Sequence, residues 1–427
     1  MKKNAIVFSL LIFIISISTI SYADTPEISA DSAILIDAKT GVVLFEKNAN
    51  QKMFPASTTK ILTAIIAIEN GNLDQKVIVD DKTPYGIDGS HIALEPGEIL
   101  TMDQLIHALL IESANDAAIV IAKHISGSVE EFAKLMNNKA KEIGAKNSNF
   151  VNPNGLPNEN HTTTAYDLAA IARYAMKNPK FREIVSSYTY TIPPTNIKTE
   201  SRPLKSANRL LYSSETINVN GENVKIKYEG ANGIKTGYTV AAQQCLVSSA
   251  TRNGQSYISV VLHAVGTNVY IDTHKLLNYG FDNFTNMNIA FGNEFIRNVV
   301  VENGDIPIAT GIVGQNLYAI VPKGRENDIK KKIILPDKIK APVTKGQVLG
   351  KIEYTLDNKA IGTANIVSAM EVNQRAVYDV VNPKSSNSLF KKWWFWIIVI
   401  LISWRIYIEF KRRKRRNKRR QKYLYSK

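Results

Sequence analysis

The sequence predicts a mixed α/β body, then a smaller all-β domain, then a membrane anchor near the C-terminus. Three observations carry that reading. Residues 29–47 alternate apolar and polar on either side of Asp37-Ala38-Lys39-Thr40-Gly41, which is a hairpin pattern. From Pro55 the period turns helical, and strand character returns only at 222–229, 234–240, 244–251 and 256–264. After Asn283 the texture is all β, with Gly, Pro and Asn between short apolar runs.

In chain order, the N-terminus begins Met1-Lys2-Lys3, has an apolar run from Ala5 to Ile20, and continues Ser21-Tyr22-Ala23. A basic start, a short apolar middle and small residues before the break describe a secretory leader over 1–23, cut after Ala23. The first hairpin follows. Ser57 through Asn70 is rich in Ile, Leu and Ala, with Gly71 placed to end it, so it reads as a buried helix. Met102–Ile111 and Ala117–His124 read as two helices interrupted at Ser113-Ala114-Asn115, and 130–142 and 164–177 read as two more. A short helix over 271–278 closes this part, giving a first domain over 24–282 and a β-rich domain over 283–380. Residues 381–392 read as a linker.

Trp393–Trp404 is almost wholly apolar, with tryptophans at both ends where an interfacial belt places them. Counted over 393–410 the segment is near the lower length limit for a spanning helix, and Arg405 and Glu409 within it must snorkel. The basic tail 411–427 belongs on the cytoplasmic side, which puts the body on the extracytoplasmic face of a single-pass membrane protein. The formal charge of +15 is concentrated at these ends: Lys2 and Lys3 carry +2, the tail +11, and residues 24–390 balance to zero. That distribution points to topology and anionic lipid, and away from nucleic acid. A single cysteine, Cys245, excludes an internal disulfide framework.

The chain has no G-x-S-x-G, H-E-x-x-H, C-x-x-C or P-loop pattern, and its six histidines do not pair at ligand spacing. Neither a metal nor another cofactor is expected. It does carry Ser57-Thr-Thr-Lys60, then Ser113-Ala-Asn115, then Lys235-Thr236-Gly237. Each pattern recurs elsewhere, at Ser388–Lys391, Ser206–Asn208 and Lys39–Gly41, and context separates the two sets. Ser57 opens a buried helix, Ser113 interrupts a helical pair and Lys235 lies on a strand, whereas Ser388 is in the linker and Lys39 in a hairpin turn.

The chemistry of the first set is coherent. A three-residue step brings Ser57 and Lys60 onto one helix face, and the helix N-terminus favours an alkoxide. A lysine shielded from water and close to Lys235 loses its proton more readily, so that Lys60 serves as general base toward Ser57. Ser113 is placed to relay a proton and Asn115 to hold a substrate amide. Lys235 and Thr236 offer donors to a carboxylate, and Gly237 lets a substrate backbone lie against the strand.

This motif set is that of class A β-lactamases and penicillin-binding proteins. The chain resembles the low-molecular-mass penicillin-binding proteins that act as serine-type D-alanyl-D-alanine carboxypeptidases, over about Ile28 to Ala376. Phe150-Val-Asn-Pro-Asn-Gly155-Leu, the His161–Leu168 stretch and the later APVTKGQVLGKIEY segment add to the likeness. The resemblance implies a β-lactamase/transpeptidase-like catalytic domain, with Ser57 acylated and Lys60 its base. It also implies backbone N–H groups of Ser57 and Tyr238 as the oxyanion hole, a peptidoglycan stem peptide ending in D-Ala-D-Ala as substrate, and β-lactams as inhibitors. Some members meet the substrate carboxylate with an arginine beyond the strand after K-T-G. None stands here between Asn253 and Ile296, which leaves Lys235, Thr236 and Thr239, or Arg252. No E-x-x-L-N glutamate of a β-lactamase follows Asn115. Endopeptidase, transpeptidase or β-lactamase action on the same site, and a non-catalytic module that binds β-lactam or wall fragments, are the alternatives.

Overall fold

Strands such as Gln255–Ala264 (QSYISVVLHA) are apolar on both faces, and a strand of that kind belongs in a sheet covered on both sides. The computed structural model, which describes residues 25–376, 390 and 392–424, has such a sheet. Five antiparallel strands, β1 (Ser32–Asp37), β2 (Val43–Lys47), β3 (Ala231–Thr239), β4 (Gln243–Arg252) and β5 (Gln255–Ala264), lie in the order β2-β1-β5-β4-β3. β1 pairs with β5 from Ser32↔Leu262 to Asp37↔Tyr257, so the N-terminal hairpin is joined to residues more than two hundred positions away.

Alternation sends Ile34, Ile36, Val247, Ile258 and Val260 to one face and Leu35, Leu246, Tyr257 and Val261 to the other. The first face packs on the helical cluster α1 (Lys60–Asn70), α2 (Met102–His107), α3 (Asn115–Ser126), α4 (Val129–Ile143), α5 (Ala165–Ala175) and α6 (Pro179–Ser186). The second packs on α7 (Asn268–Asn283). α1 is buried from Lys60 through Ala67, which is why KILTAIIAIEN lacks a polar stripe. Its neighbours are capped from the sequence: Thr101 and Gln104 form a capping box ahead of α2, and Ser128, Thr164 and Asn178 cap α4, α5 and α6.

The chain divides into two compact units, Met1–Glu294 with Val313–Ile334 and Gly350–Asn365, and Phe295–Ile312 with Leu335–Leu349 and Ile366–Lys427. In the first, Phe284–Ala290 pairs antiparallel with Leu317–Pro322, and Lys330–Ile334 with residues 351–355. In the second, Phe295–Glu302 pairs antiparallel with residues 308–312 and in parallel with Lys338–Lys340, over a small core including Val299, Val301, Ala309, Val343 and Val372. The all-β reading after Asn283 therefore holds as a fold class. Trp393–Leu424 is one helix whose apolar stretch is long enough to cross a membrane, with none of that stretch buried. The leader 1–23, Ser388 and most of the linker lie outside the described residues.

Four local readings need correction. The 222–229 strand is only Glu222–Lys225, in a hairpin with Thr216–Val219, because the next residues leave the ladder to bond Glu215 and Leu210 carbonyls. The 271–278 helix runs from Asn268 to Asn283, and its buried Asp272 is satisfied by the Ser29 and Ala30 N–H groups and the Ser29 hydroxyl. The helix read over Met102–Ile111 ends as α at His107 and continues as a π-helical turn, Ala108–Glu112. Ser57 stands in a 3₁₀ turn, Ala56–Thr59, with α1 proper starting at Lys60.

Candidate active site

The serine turn is set by its neighbours. Ala56 is held at φ 47°, a left-handed conformation costly for a residue with a Cβ, and Thr58 closes the turn by donating from N–H and Oγ1 to the Pro55 carbonyl. Ser57 is left half-buried while Thr58, Thr59 and Lys60 are buried. Lys60 Nζ stands 2.9 Å from Ser57 Oγ, 2.7 Å from Asn115 Oδ1 and 2.7 Å from the Asn154 carbonyl. Burial, then the nearby Lys235, hold the Lys60 ammonium well below its usual pKa, with Asp116 opposing. A neutral amine has two N–H donors and one lone pair. Asn115 Oδ1 and the Asn154 carbonyl take the donors, and the lone pair is left for the Ser57 hydroxyl proton.

The Asn154 carbonyl is delivered by the loop that follows α4. Asn152 Oδ1 accepts from Gly155 N–H at 2.7 Å, Thr63 Oγ1 donates to the Pro153 carbonyl at 2.6 Å, and Gly155 sits at φ +85°. A Cβ on Gly155 would lie 1.8 Å from the Ala56 carbonyl oxygen. His161 fastens the same loop to the serine turn: its Nδ1 accepts from Val151 N–H, and its Nε2 meets Thr59 Oγ1 at 2.8 Å. Burial pushes this imidazole down to about 4, so it is neutral and structural. Gly155→Ala should therefore displace the serine turn, lower the melting temperature and cut turnover about 100-fold. Gly127→Ala, with φ +79° but open space around it, should cost only about 1 kcal/mol and serves as the comparison. Equal effects of the two on melting and turnover would refute the close-packing account.

The π turn inserts a residue into the helix and ends with Ser113 at φ 66°, ψ 28°, swinging that side chain out of the helical path. Asn115 then opens α3, with its Nδ2 donating to the Asp88 carbonyl at 2.6 Å. Buried Asp116 accepts from Ile92 and Leu94 N–H groups and so ties down the 88–94 loop beside the site.

β3 is an edge strand of the sheet. Lys235 and Gly237 share its inward face. A Cβ on Gly237 would come within 3.0 Å of Ser57 N and 3.1 Å of the Pro55 carbonyl, so glycine lets the strand pass this close to the serine turn without either backbone giving way. Lys235 is 2% exposed, donates to the Thr236 carbonyl at 3.0 Å, and is pushed by burial down to about 7 against the raising effect of Glu112. A cleft of ≈ 460 Å³ is lined by Ser57, Ser113, Asn115, Thr236, Gly237, Tyr238 and Thr239, with Lys60 and Lys235 beneath it. All nine residues singled out in the sequence thus meet in one place.

The repeated patterns elsewhere do other work. Ser206 and Asn208 receive N–H bonds from Asn208 and Leu210 and build a turn, and Lys39 lies in the β1–β2 turn over the Tyr318 ring. Arg252 is not at the site. Its Nε donates to the Glu229 carbonyl and its guanidinium lies over Tyr228 and Phe281, eight residues (~26 Å) along β4 from cleft-lining Gln244. Sequence reasoning missed the Asn154 carbonyl and the cleft residues Glu112, Lys205, Gln244 and Tyr270. Among the described residues no cluster of three His, Cys, Asp or Glu side chains is placed to hold a metal ion.

Residues 19–266 match the family described as D-alanyl-D-alanine carboxypeptidase, and residues 284–374 match the penicillin-binding protein 5 C-terminal domain. The D-alanyl-D-alanine carboxypeptidase DacF of Bacillus subtilis is 34% identical over 354 residues, 81% of this chain and 86% of that one. DacA of Haemophilus influenzae is 31% identical over 391 residues, 88% of this chain and 90% of that one. Among solved structures, penicillin binding protein 5 of H. influenzae superposes with a TM-score of 0.71 at 28% identity, covering 82% of this chain and 100% of that one. The Streptomyces K15 DD-transpeptidase gives 0.55 at 32% identity, covering 61% and 100%.

Proposed function

The chain belongs to the D-alanyl-D-alanine carboxypeptidase family of serine peptidases, and on that premise we propose that Ser57 is its acylated nucleophile and Lys60 the base. The observation that carries the assignment is the Lys60 amine held between two carbonyl acceptors with Ser57 Oγ as its third neighbour. Lys60 takes the hydroxyl proton as Oγ attacks the carbonyl between the two terminal D-Ala residues. Backbone N–H groups of Ser57 and Tyr238 receive the developing oxyanion, and the closeness of Gly237 to Ser57 N supports that pairing. The proton returns through Ser113 to the departing D-Ala amine, leaving an ester on Ser57. Water then attacks the ester, and Oγ regains its proton.

A stem peptide lies along the open edge of β3 as an added strand. Asn115 Nδ2 holds its amide, and the terminal carboxylate meets Lys235, Thr236 and Thr239. Penicillin mimics the scissile amide and acylates the same oxygen. The test is mass spectrometry of products from a D-Ala-D-Ala pentapeptide, where stoichiometric loss of D-Ala and a slowly hydrolysed penicilloyl-Ser57 are expected. Predominant cross-linked dimer would favour the transpeptidase reading, which the likeness to the Streptomyces K15 enzyme supports. Rapid recovery from penicillin would mean a β-lactamase.

The apolar helix from Trp393 anchors this site outside the cytoplasm, with the basic tail inside. Full-length protein should fractionate with membranes and resist a high-salt wash, while protein truncated after Asn387 should be soluble and active. Release of the full-length chain by salt alone would show that the tail's charge, not an inserted helix, holds it.

A further inference from the structure

The first compact unit holds a second cavity, of ≈ 480 Å³, at the end of the sheet away from the serine turn. Its floor is the first face of β3, β4 and β5, where that face stops being apolar. Beyond Ile234, Val247 and Ile258 stand Asn232, Ser249, Thr251 and Ser256. Asn232 lies five residues, about 17 Å, along β3 from Gly237. The register between β3 and β4 shifts between Ser248 and Ala250, so the ladder is irregular at Ser249. Ser249 is 2% exposed and lines the cavity, and among the described residues its hydroxyl has no hydrogen-bond partner. A buried hydroxyl left so is costly unless a ligand meets it. Thr251 Oγ1 donates to Asn232 Oδ1 at 2.8 Å and lies 2.8 Å from Ser256 Oγ, which leaves the Asn232 Nδ2 donors unused within the protein.

The walls are cationic. α5 brings Arg173, Lys177 follows it, and α6 brings Arg182. Arg173 donates from Nε to the Ala38 carbonyl at 3.2 Å and from Nη2 to the Lys39 carbonyl at 2.7 Å. Arg182 Nη1 donates to the Met176 and Lys177 carbonyls at 2.7 and 2.9 Å. These bonds fix both guanidiniums without neutralising them, and further N–H groups remain on Arg173 Nη1 and on Arg182 Nε and Nη2. The carboxylate on the wall, Glu183, is paired with Lys180 at 3.0 Å. We propose that this cavity is a second binding site, apart from the catalytic cleft, for a compact oxyanion held by Arg173, Lys177 and Arg182, with Ser249 and Asn232 donating to its oxygens. Fixed guanidiniums suit a carboxylate and a phosphate alike. The volume exceeds that of a bare ion, so the oxyanion is one end of a small molecule or of a polymer segment.

The experiment is calorimetric titration of the full-length protein in detergent, treated with penicillin to fill the catalytic cleft, at an ionic strength fixed with chloride. The probes are inorganic phosphate and a stem tetrapeptide ending in D-Ala. Saturable binding of at least one is expected: phosphate alone identifies a phosphate ligand, and the tetrapeptide alone a carboxylate one. Lys177→Gln with Arg182→Gln should weaken that binding at least about tenfold. Ser249→Ala should weaken it about threefold without lowering the melting temperature of the unliganded protein, because the hydroxyl has no protein partner to lose. D-Ala release should be unchanged in both variants. No saturable binding of either probe, or equal binding by the charge variant, would overturn the proposal. So would a Ser249→Ala protein that melts lower and binds normally, since the hydroxyl would then serve only the fold.

Discussion

Ser57→Ala should abolish both covalent labelling by fluorescent penicillin and D-Ala release, while Ser388→Ala should leave both intact. The two serines share the S-x-x-K spacing, and spacing alone does not distinguish them. Ser57 has a buried amine 2.9 Å from its oxygen, without which a hydroxyl is a weak nucleophile at neutral pH. The fold should hardly notice the change. The turn is closed by Thr58 rather than by Ser57, so the loss of one half-buried hydroxyl should alter stability by no more than about 1 kcal/mol. Unchanged melting with no label is the expected pair of results. Label retained by Ser57→Ala would place the nucleophile elsewhere.

Lys60→Met should lower penicillin acylation about 10³-fold, within the range expected for losing a general base. Methionine fills most of the volume but supplies neither the lone pair nor the two donors. The pH dependence gives a sharper signature. Acylation needs neutral Lys60, so the wild-type rate rises with pH through its lowered pKa and levels off well below the ~10.4 of a free lysine. Above about 7 the unliganded Lys235 loses its charge, and the hold on a carboxylate weakens. The profile of kcat/KM is thus a bell. Lys60→Met should erase its acid limb and keep the alkaline one, and an acid limb that survived would mean another group takes the proton.

What could be read from the sequence was what is local. Ser57 and Lys60 are one turn apart, so their meeting follows from helix geometry, and the strand setting of Lys235 follows from alternation. The Asn154 carbonyl could not be found that way, because every residue offers a backbone acceptor and only the Gly155 contact with Ala56 selects this one. The sequence around it, Phe150–Leu156, was noticed only as part of a resemblance. α7 was read too short because Gly280, Asp282 and Asn283 break its apolar pattern near the end, and the partners that make buried Asp272 acceptable lie at Ser29 and Ala30. Arg252 was a candidate by type and nearness in sequence, but direction along β4 decides where it goes.

β1 stands inside the catalytic sheet, between β2 and β5. Its second neighbour is the last strand of that sheet to be made. A ribosome adding about 5–20 residues per second needs roughly 10–45 s to pass from the end of β1 to the start of β5. For that interval one flank of Ser32–Asp37 presents unpaired N–H and C=O groups, the template on which misplaced strands and other chains assemble. Successful production of this enzyme therefore depends on what occupies that flank while the rest of the chain is still arriving, and holding the nascent chain open becomes part of its biogenesis.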